Sequence, residues 1–220
     1  MSIVTNGLTS AYPDYDTEYL ANTKGNTVTV TGSTFATNLY GAYASGVETS
    51  DDTVSLTAGA VNASVYGAFG GTVGDHNTVT LGTSGTDGPT ITGNVYAYDG
   101  TGVSSFNTVS VASGSVGGTI YGAKTDTTTY NTITVNGGTI GQGIYGGYAT
   151  GFVGNNTITL NGGTVSGDVY AGYSTGDSVD GNTINLYRTN VSGASLYGGG
   201  GNSVDNNTLN VYTLGNSVAD

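Results

Sequence analysis

The stretch NTITVNGGTIGQGIYGGY at residues 131–148 decides the fold, because most of the chain consists of imperfect copies of it. It holds a five-residue alternating run, a Gly-Gly turn, a further apolar position and an Ile-Tyr-Gly-Gly-Tyr segment. An Asn-Thr step, once Asp-Thr, opens each copy, and the copies begin at residues 26, 52, 77, 107, 131, 156, 182 and 207. One interval of 30 residues, against 24 to 26 elsewhere, places an insertion at 82–90. Such fixed spacing is typical of repeat proteins whose units stack on one another.

The apolar residues of each copy follow the period of a β-strand. Ile133 and Val135 alternate with polar residues, which predicts a strand with one buried face. A glycine turn, an apolar residue such as Ile140 and an apolar-tyrosine pair follow. A less regular apolar position, here called the closing column, lies at the end of most copies and contains Val47, Val73, Val103, Val153, Val179 and Val204. Helical spacing does not occur, and glycine, at 40 of 220 residues, is too frequent for helices.

These patterns predict an all-β, single-domain parallel β-helix, or β-solenoid, of about seven to eight coils of ~25 residues with three short strands per coil. A right-handed coil is expected, because parallel crossovers favour that hand. Residues 1–25 depart from the repeat and are expected to form a degenerate coil or an N-terminal cap, with the repeats over 26–220. The last copy stops after Tyr212, which would leave an unpaired strand edge. The chain is therefore expected either to belong to a longer protein or to stack on another molecule.

Charge and composition exclude several kinds of partner and site. The formal charge is -12 with three basic residues, so nucleic acid is not an expected partner, because phosphate binding needs clustered cations. Cysteine is absent, which excludes disulfides and thiolate metal sites. No run of 18 apolar residues occurs, so we expect no direct membrane insertion by this segment.

The repeats resemble a known family. The run NTITLNGGTVSGDVYAGY at 156–173 resembles the passenger repeats of bacterial autotransporter (type V secretion) proteins, and NTLNVY at 207–212 resembles the end of such a repeat region. The resemblance covers residues 26–212. It implies a β-helical passenger, often an adhesin, that is exported unfolded, lacks cysteine and is extracellular or held on the bacterial cell surface. No passenger head domain is recognisable in this sequence.

Tyrosines supply the candidate binding residues. Each follows a core apolar residue directly, so strand alternation points the ring outward. The column contains Tyr40, Tyr66, Tyr96, Tyr121, Tyr145, Tyr170 and Tyr197, and a partial second column three residues on contains Tyr43, Phe69, Tyr148 and Tyr173. Tyrosine supplies contact area at low entropic cost, so this face is expected to bind a host-surface glycan or protein. The alternative is a ladder that only rigidifies the coils by stacking.

Two further columns have a structural interpretation, and the first of them also has a functional one. Pairs such as Thr132 and Thr134 suit an exposed strand face, and they also resemble the ice-binding face of β-solenoid antifreeze proteins. Four of the eight copies, however, carry Ser or Asn at the second position. The anchor asparagines that open the copies are expected to form a structural ladder of amides.

Metal binding and catalysis have little support. Asp180 and Asp205 lie one coil apart, where solvated acidic turns are expected and a shared Ca²⁺ is the alternative. The lone histidine and the three basic residues do not cluster, so we predict no catalytic residues, no cofactor and no enzymatic activity. The sequence thus predicts a non-enzymatic adhesin-like passenger or stalk fragment, which contacts its partner through the tyrosine face and the loop at 82–90. A self-assembling structural module, with copies of itself as partner, is the alternative, and an ice-binding solenoid is the third.

Overall fold

The computed structural model describes residues 3–6 and 23–212. These residues contain strands and no helix, and the strands stack into a parallel β-solenoid of about seven turns with a spacing of roughly 25 residues, as the repeat predicts. Most of the predicted cap at 1–25, and the end of the predicted repeat region at 213–220, lie outside the described residues. Within the described part, the strand Ile3–Asn6 pairs antiparallel with Thr27–Phe35.

Each coil has four strand positions rather than the predicted three, because the closing segment also pairs between coils. The first strands are Thr27–Phe35, Thr53–Val61, Thr78–Leu81, Thr108–Val111, Thr132–Val135, Thr157–Leu160, Thr183–Leu186 and Thr208–Val211. In the first two coils the first and second strands are continuous, as Thr27–Phe35 and Thr53–Val61. In later coils the second strands are separate: Thr90–Ile91, Ser115–Val116, Thr139–Ile140 and Thr164–Val165.

The remaining strands form two further faces. The tyrosine strands are Leu39–Tyr43, Val65–Phe69, Val95–Asp99, Ile120–Thr125, Ile144–Tyr145, Tyr148–Ala149, Val169–Tyr170, Tyr173–Ser174 and Leu196–Tyr197. The closing strands are Thr23–Lys24, Thr49–Ser50, Val103–Ser105, Thr127–Thr129, Val153–Gly154, Ser178–Asp180 and Ser203–Asp205. Each strand pairs in parallel with its equivalent one coil away, so the eight first strands span about 34 Å at ~4.8 Å per step.

The core is a stack of apolar residues from three of these strands. Ile133, Val135, Ile140 and Ile144 all have no exposed surface, as predicted from the alternation of the repeat. Their equivalents in neighbouring coils are adjacent in the strand register, for example Ile133 with Ile158. A shift by one residue would turn this column to solvent, so burial fixes the register of the stack.

The closing column differs from the prediction in the first half of the solenoid. Val73 is partly exposed and Val103 is 51% exposed, whereas the next residue in each strand, Gly74 and Ser104, points inward and is buried. Small and polar residues occupy the interior here because they pack beside the anchor asparagines; Ser104, for example, accepts a hydrogen bond from Asn107 Nδ2 at 2.7 Å. The predicted valine is buried only in later coils, at Val153 and Val179.

The predicted asparagine ladder is confirmed. The Oδ1 atom of Asn156 accepts hydrogen bonds from the backbone N–H and the Nδ2 of Asn131, at 2.9 and 2.7 Å. Asn182 accepts the same pair from Asn156, and Asn131 from Asn107. Buried amides are thereby satisfied along the solenoid, so the anchor column is structural.

Candidate functional site

The tyrosine ladder is continuous over seven coils. The strand register pairs Tyr40 with Tyr66, Tyr66 with Tyr96, and so on to Tyr197. Adjacent rings stack with centroids 4.5–5.3 Å apart and interplanar angles of 16° or less. The spacing follows directly from the strand separation, because each ring is carried by the same position of successive coils.

The rings of the second aromatic column are nearly perpendicular to the rings of the ladder beside them. The rings of Tyr148 and Tyr173 stack on each other at 5.3 Å and meet Tyr145 and Tyr170 edge to face, at interplanar angles of 79–83°. Tyr43 and Phe69 repeat the arrangement beside Tyr40 and Tyr66 near the other end. Two aromatic corners therefore flank the middle of the face, and edge-to-face contacts of this kind are energetically favourable.

A charged pair separates the two corners. Asp99 and Lys124 occupy the second-column position in the two middle coils and are direct partners in the strand register. Both side chains are half-buried. Burial raises the pKa of Asp99 above its usual range, and the nearby charge of Lys124 partly offsets that rise.

The ladder is less exposed than the sequence predicts. Most of its rings are half-buried, Tyr197 is 39% exposed, and Tyr96 retains only 6% of its surface. The expectation of a fully outward, exposed ring is therefore wrong for Tyr96. Its faces are covered by the rings of Tyr66 and Tyr121, each 4.8 Å away. Stacking therefore leaves the edges of the ladder rings, rather than their faces, for contact with a partner.

Several hydroxyl groups of the ladder lie in surroundings that disfavour their ionisation. Burial raises the pKa of Tyr66, Tyr121 and Tyr145 above that of a free phenol. In two coils a residue two positions earlier donates to the phenol oxygen: Asn38 Nδ2 to Tyr40 at 2.9 Å and Asn94 Nδ2 to Tyr96 at 2.8 Å. A phenol that accepts such a bond still carries its own O–H, which is free to be donated outward.

Comparison of the chain with protein-family models, curated proteins and solved structures finds no match. The tyrosine face is therefore interpreted from its own geometry. The resemblance to autotransporter passenger repeats stays a prediction, and so does the cellular location that it implies.

The other predicted features fall outside this face. Loop residues 83–87 are exposed, but the loop joins a first strand to a second strand and so lies away from the tyrosine strands in its coil. The Thr-x-Thr positions lie in register along the outer side of the first strands, and Asn185 and Asn210 continue the column through an amide hydrogen bond of 2.9 Å.

The acidic turns show no built ion site. Asp180 and Asp205 are partners in the register, and Asp180 Oδ1 accepts a hydrogen bond from Asn206 Nδ2 at 2.9 Å. In the described part of the chain no group of three or more His, Asp or Glu side chains is arranged to hold a metal ion. The same residues contain no helix long and apolar enough to cross a membrane.

Sequence reasoning missed a second aromatic surface. His76, Phe106 and Tyr130 precede the anchors of three successive coils and stack at 5.2 and 5.1 Å, with Phe106 and Tyr130 each 50% exposed. All three have φ between 56° and 58°, a left-handed conformation that is unusual for large side chains. The sequence did contain a signal for this turn. Gly25 and Gly181 occupy the equivalent position in other coils, and glycine there indicates a turn with positive φ.

It also missed the buried Tyr98. This ring points into the interior where the neighbouring coils have Ala68 and Ala123, and it is fully buried. Its hydroxyl group donates to the carbonyl oxygens of Gly71 and Thr101. Gly74 makes room for it, because a Cβ at Gly74 would overlap the Tyr98 ring.

Proposed function

We propose that this chain is an extracellular, non-enzymatic solenoid of the autotransporter-passenger type, which binds a surface glycan or protein through its tyrosine face. The observation that carries the proposal is the continuous ladder of seven rings with a perpendicular aromatic column at both ends. The faces of the ladder rings are covered by neighbouring rings, so a partner would contact the ring edges and the phenol donors. Rigid, amphipathic tyrosines bind at low entropic cost.

Composition supports an uncharged or weakly basic partner rather than an acidic one. The chain carries a formal charge of -12, and Lys124 is the only one of its three basic residues on the tyrosine strands. Long-range repulsion would slow the approach of a polyanion. Glycans and protein surfaces without strong negative charge are therefore the proposed ligands.

A glycan array and a cell-binding assay test this function. We expect binding by the wild-type protein and its loss in the double variant Tyr145→Ser/Tyr170→Ser. Tyr130→Asn is the matched control, because it removes an exposed tyrosine from the other aromatic surface and asparagine tolerates the left-handed turn. A folded wild-type protein that binds neither glycans nor cells would contradict the proposal.

The double variant needs a check on folding. If its circular dichroism and melting temperature show that it has unfolded, the ladder is required for stability. Tyr145→Phe/Tyr170→Phe then separates the roles, since it keeps the stacked rings and deletes the hydroxyl groups. Binding lost in this folded variant supports the proposed site, and unchanged binding counts against a role for the phenols.

End-to-end assembly is the second candidate function. In the last described coil Leu209 and Val211 are 44% and 59% exposed, whereas Ile184 and Leu160 in the same columns are fully buried. A further coil of the same protein or a second copy would cover these apolar side chains. Filaments in electron micrographs would support assembly, and isolated short rods at high concentration would contradict it.

A further inference from the structure

We infer that the ligand of the tyrosine face is a neutral, extended, linear polysaccharide that lies parallel to the solenoid axis, with one sugar ring per coil. The inference rests on the proposed function and specifies its ligand class and orientation. It follows from the period of the face, the direction of its hydrogen-bond donors and its charge.

The period of the face matches an extended β-linked glycan. Neighbouring ladder rings are 4.5–5.3 Å apart over all seven coils. An extended β-1,4-linked chain advances about 5 Å per sugar, which is close to the strand spacing of about 4.8 Å. Successive sugars would therefore lie opposite successive tyrosines, and sugars of the same orientation would meet every second tyrosine.

An extended peptide does not share this period. It advances about 3.3 Å per residue, and side chains on one face recur at about 6.6 Å. Against a repeat of about 4.8 Å its side chains would fall out of step within two coils. A peptide could contact one aromatic corner, whereas a linear glycan can use the full length of the ladder.

The polar atoms of the face suit the oxygens of a sugar. Asn38 Nδ2 donates to Tyr40 Oη in an exposed hydrogen bond, so the phenol hydrogen of Tyr40 is left for an external acceptor. Asn94 Nδ2 makes the same bond to Tyr96 Oη, but Tyr96 keeps only 6% of its surface and is not expected to contact the ligand directly. A phenol is protonated at neutral pH in any case, and burial raises the pKa of Tyr66 and Tyr121 further. Ring oxygens and hydroxyl oxygens of a polysaccharide are such acceptors, and in an extended β-1,4-linked chain they recur in the same orientation at every second sugar.

The second aromatic column supplies an apolar wall. Tyr148 stands at 83° to Tyr145, so the two rings form a corner of which one side is the ladder edge and the other a ring face. The C–H groups of a pyranose pack well on an aromatic face, while its hydroxyl groups project from the rim. In the middle coils Asp99 and Lys124 replace this wall by one negative and one positive group, which together favour a ligand without net charge.

Calorimetric titration with oligosaccharides of defined length tests the inference. The probes are cello- and chito-oligosaccharides of two to six residues, with maltohexaose as the α-linked control that coils rather than extends. We expect Kd to fall at least tenfold between the disaccharide and the hexasaccharide of one β-linked series, and maltohexaose to bind more weakly. Tyr66→Phe removes one donor but keeps the stack, so it should weaken hexasaccharide binding by about 3- to 10-fold, the equivalent of one neutral hydrogen bond.

The controls separate this inference from the proposed function. Tyr130→Phe removes an exposed hydroxyl group outside the face and should leave Kd unchanged. Binding of array glycans or proteins that is lost in Tyr145→Ser/Tyr170→Ser, but shows no dependence on chain length in either β-linked series, overturns the linear-glycan inference and leaves the proposed function standing. Absence of any glycan or cell binding overturns both.

Discussion

Ionisation of Asp52 should make the stability of the first coils depend on pH. Asp52 replaces asparagine in the anchor ladder and has no exposed surface. Its Oδ1 accepts hydrogen bonds from the backbone N–H and the Nδ2 of Asn26, at 2.9 and 2.8 Å, while its Oδ2 is buried without a partner. An asparagine at this position would carry an N–H donor in place of that second oxygen, as Asn131 does towards Asn156.

Burial is the main cause of the raised pKa of Asp52, which is about 7 rather than the usual 3.8. The hydrogen bonds from Asn26 lower the pKa, and the neighbouring charge of Asp51 raises it further. Among residues 23–212, the other charged groups near this end include Asp75 and the ion pair of Lys24 with Glu48, at 2.6 Å. These charges are more exposed than Asp52, so desolvation decides the sign.

The direction of the pH effect follows from proton binding. Between pH 3.8 and about 7 the folded chain keeps a proton on Asp52 that the unfolded chain has released. The stabilisation is therefore complete below pH 3.8 and is lost as the pH rises through about 7. At about 1.4 kcal/mol per pH unit, the loss has a ceiling of about 4 kcal/mol.

Urea unfolding of wild type and Asp52→Asn at several pH values between 4 and 8 measures this effect. The wild-type free energy of unfolding should fall by about 2–4 kcal/mol over this range, and the Asp52→Asn variant should lose the part of the slope that Asp52 causes. Asp87→Asn is the matched control, since Asp87 is exposed in the loop at 83–87 and is not one of the charges that shift the pKa of Asp52. Parallel pH profiles for wild type and Asp52→Asn would refute the reasoning, because they would mean that the buried carboxylate ionises without cost.

Three substitutions test the packing of the solenoid by urea unfolding. Tyr98→Ala should cost about 3–5 kcal/mol, because it empties a fully buried site, and a loss below about 1 kcal/mol would contradict that packing. Asn156→Ala should cost about 2–4 kcal/mol, because the buried N–H groups of Asn131 lose their acceptor; a neutral result would mean that water replaces it. Gly163→Ala should destabilise more than Gly193→Ala, since both have positive φ but only at Gly163 would the added Cβ overlap a neighbouring coil, so equal losses would count against the close approach of the coils.

The sequence was sufficient for the fold because burial and spacing act together in every copy. Ile133 and Val135 alternate with threonines, and the anchor recurs at a nearly constant interval, so one register satisfies all copies at once. The asparagine ladder was predictable for the same reason. A polar residue that recurs at a buried position needs a partner, and its own equivalent in the next coil is the nearest one.

The inner packing was harder to predict because it depends on pairs of residues from different strands. Tyr98 points inward only because Gly74 leaves space for its ring, and the two are far apart in the strand pattern. Val103 is exposed because Ser104 takes the interior position beside Asn107. The alternation of apolar residues alone therefore predicts the wrong buried face for such a short strand, because a polar residue with a buried hydrogen-bond partner can take the place of an apolar one.

The candidate site was predictable in position but not in exposure. The recurrence of tyrosine after a core residue placed the ladder correctly, and the strand register brings its seven rings together. The sequence did not reveal how far stacking would cover the rings, which leaves Tyr96 buried. The stack of His76, Phe106 and Tyr130 was missed because it lies in turns, where strand periodicity gives no signal.

The central claim is that a ligand binds along the tyrosine ladder, and an NMR titration of protein with ¹³C-labelled tyrosine rings tests it most directly. Addition of a β-linked hexasaccharide should shift the signals of Tyr66, Tyr121, Tyr145 and Tyr170 together, with one Kd, and leave Tyr130 unchanged. Single tyrosine-to-phenylalanine variants assign the signals. Shifts confined to Tyr130, or no shifts in the ladder at saturating concentrations of a ligand that binds the protein, would contradict the claim.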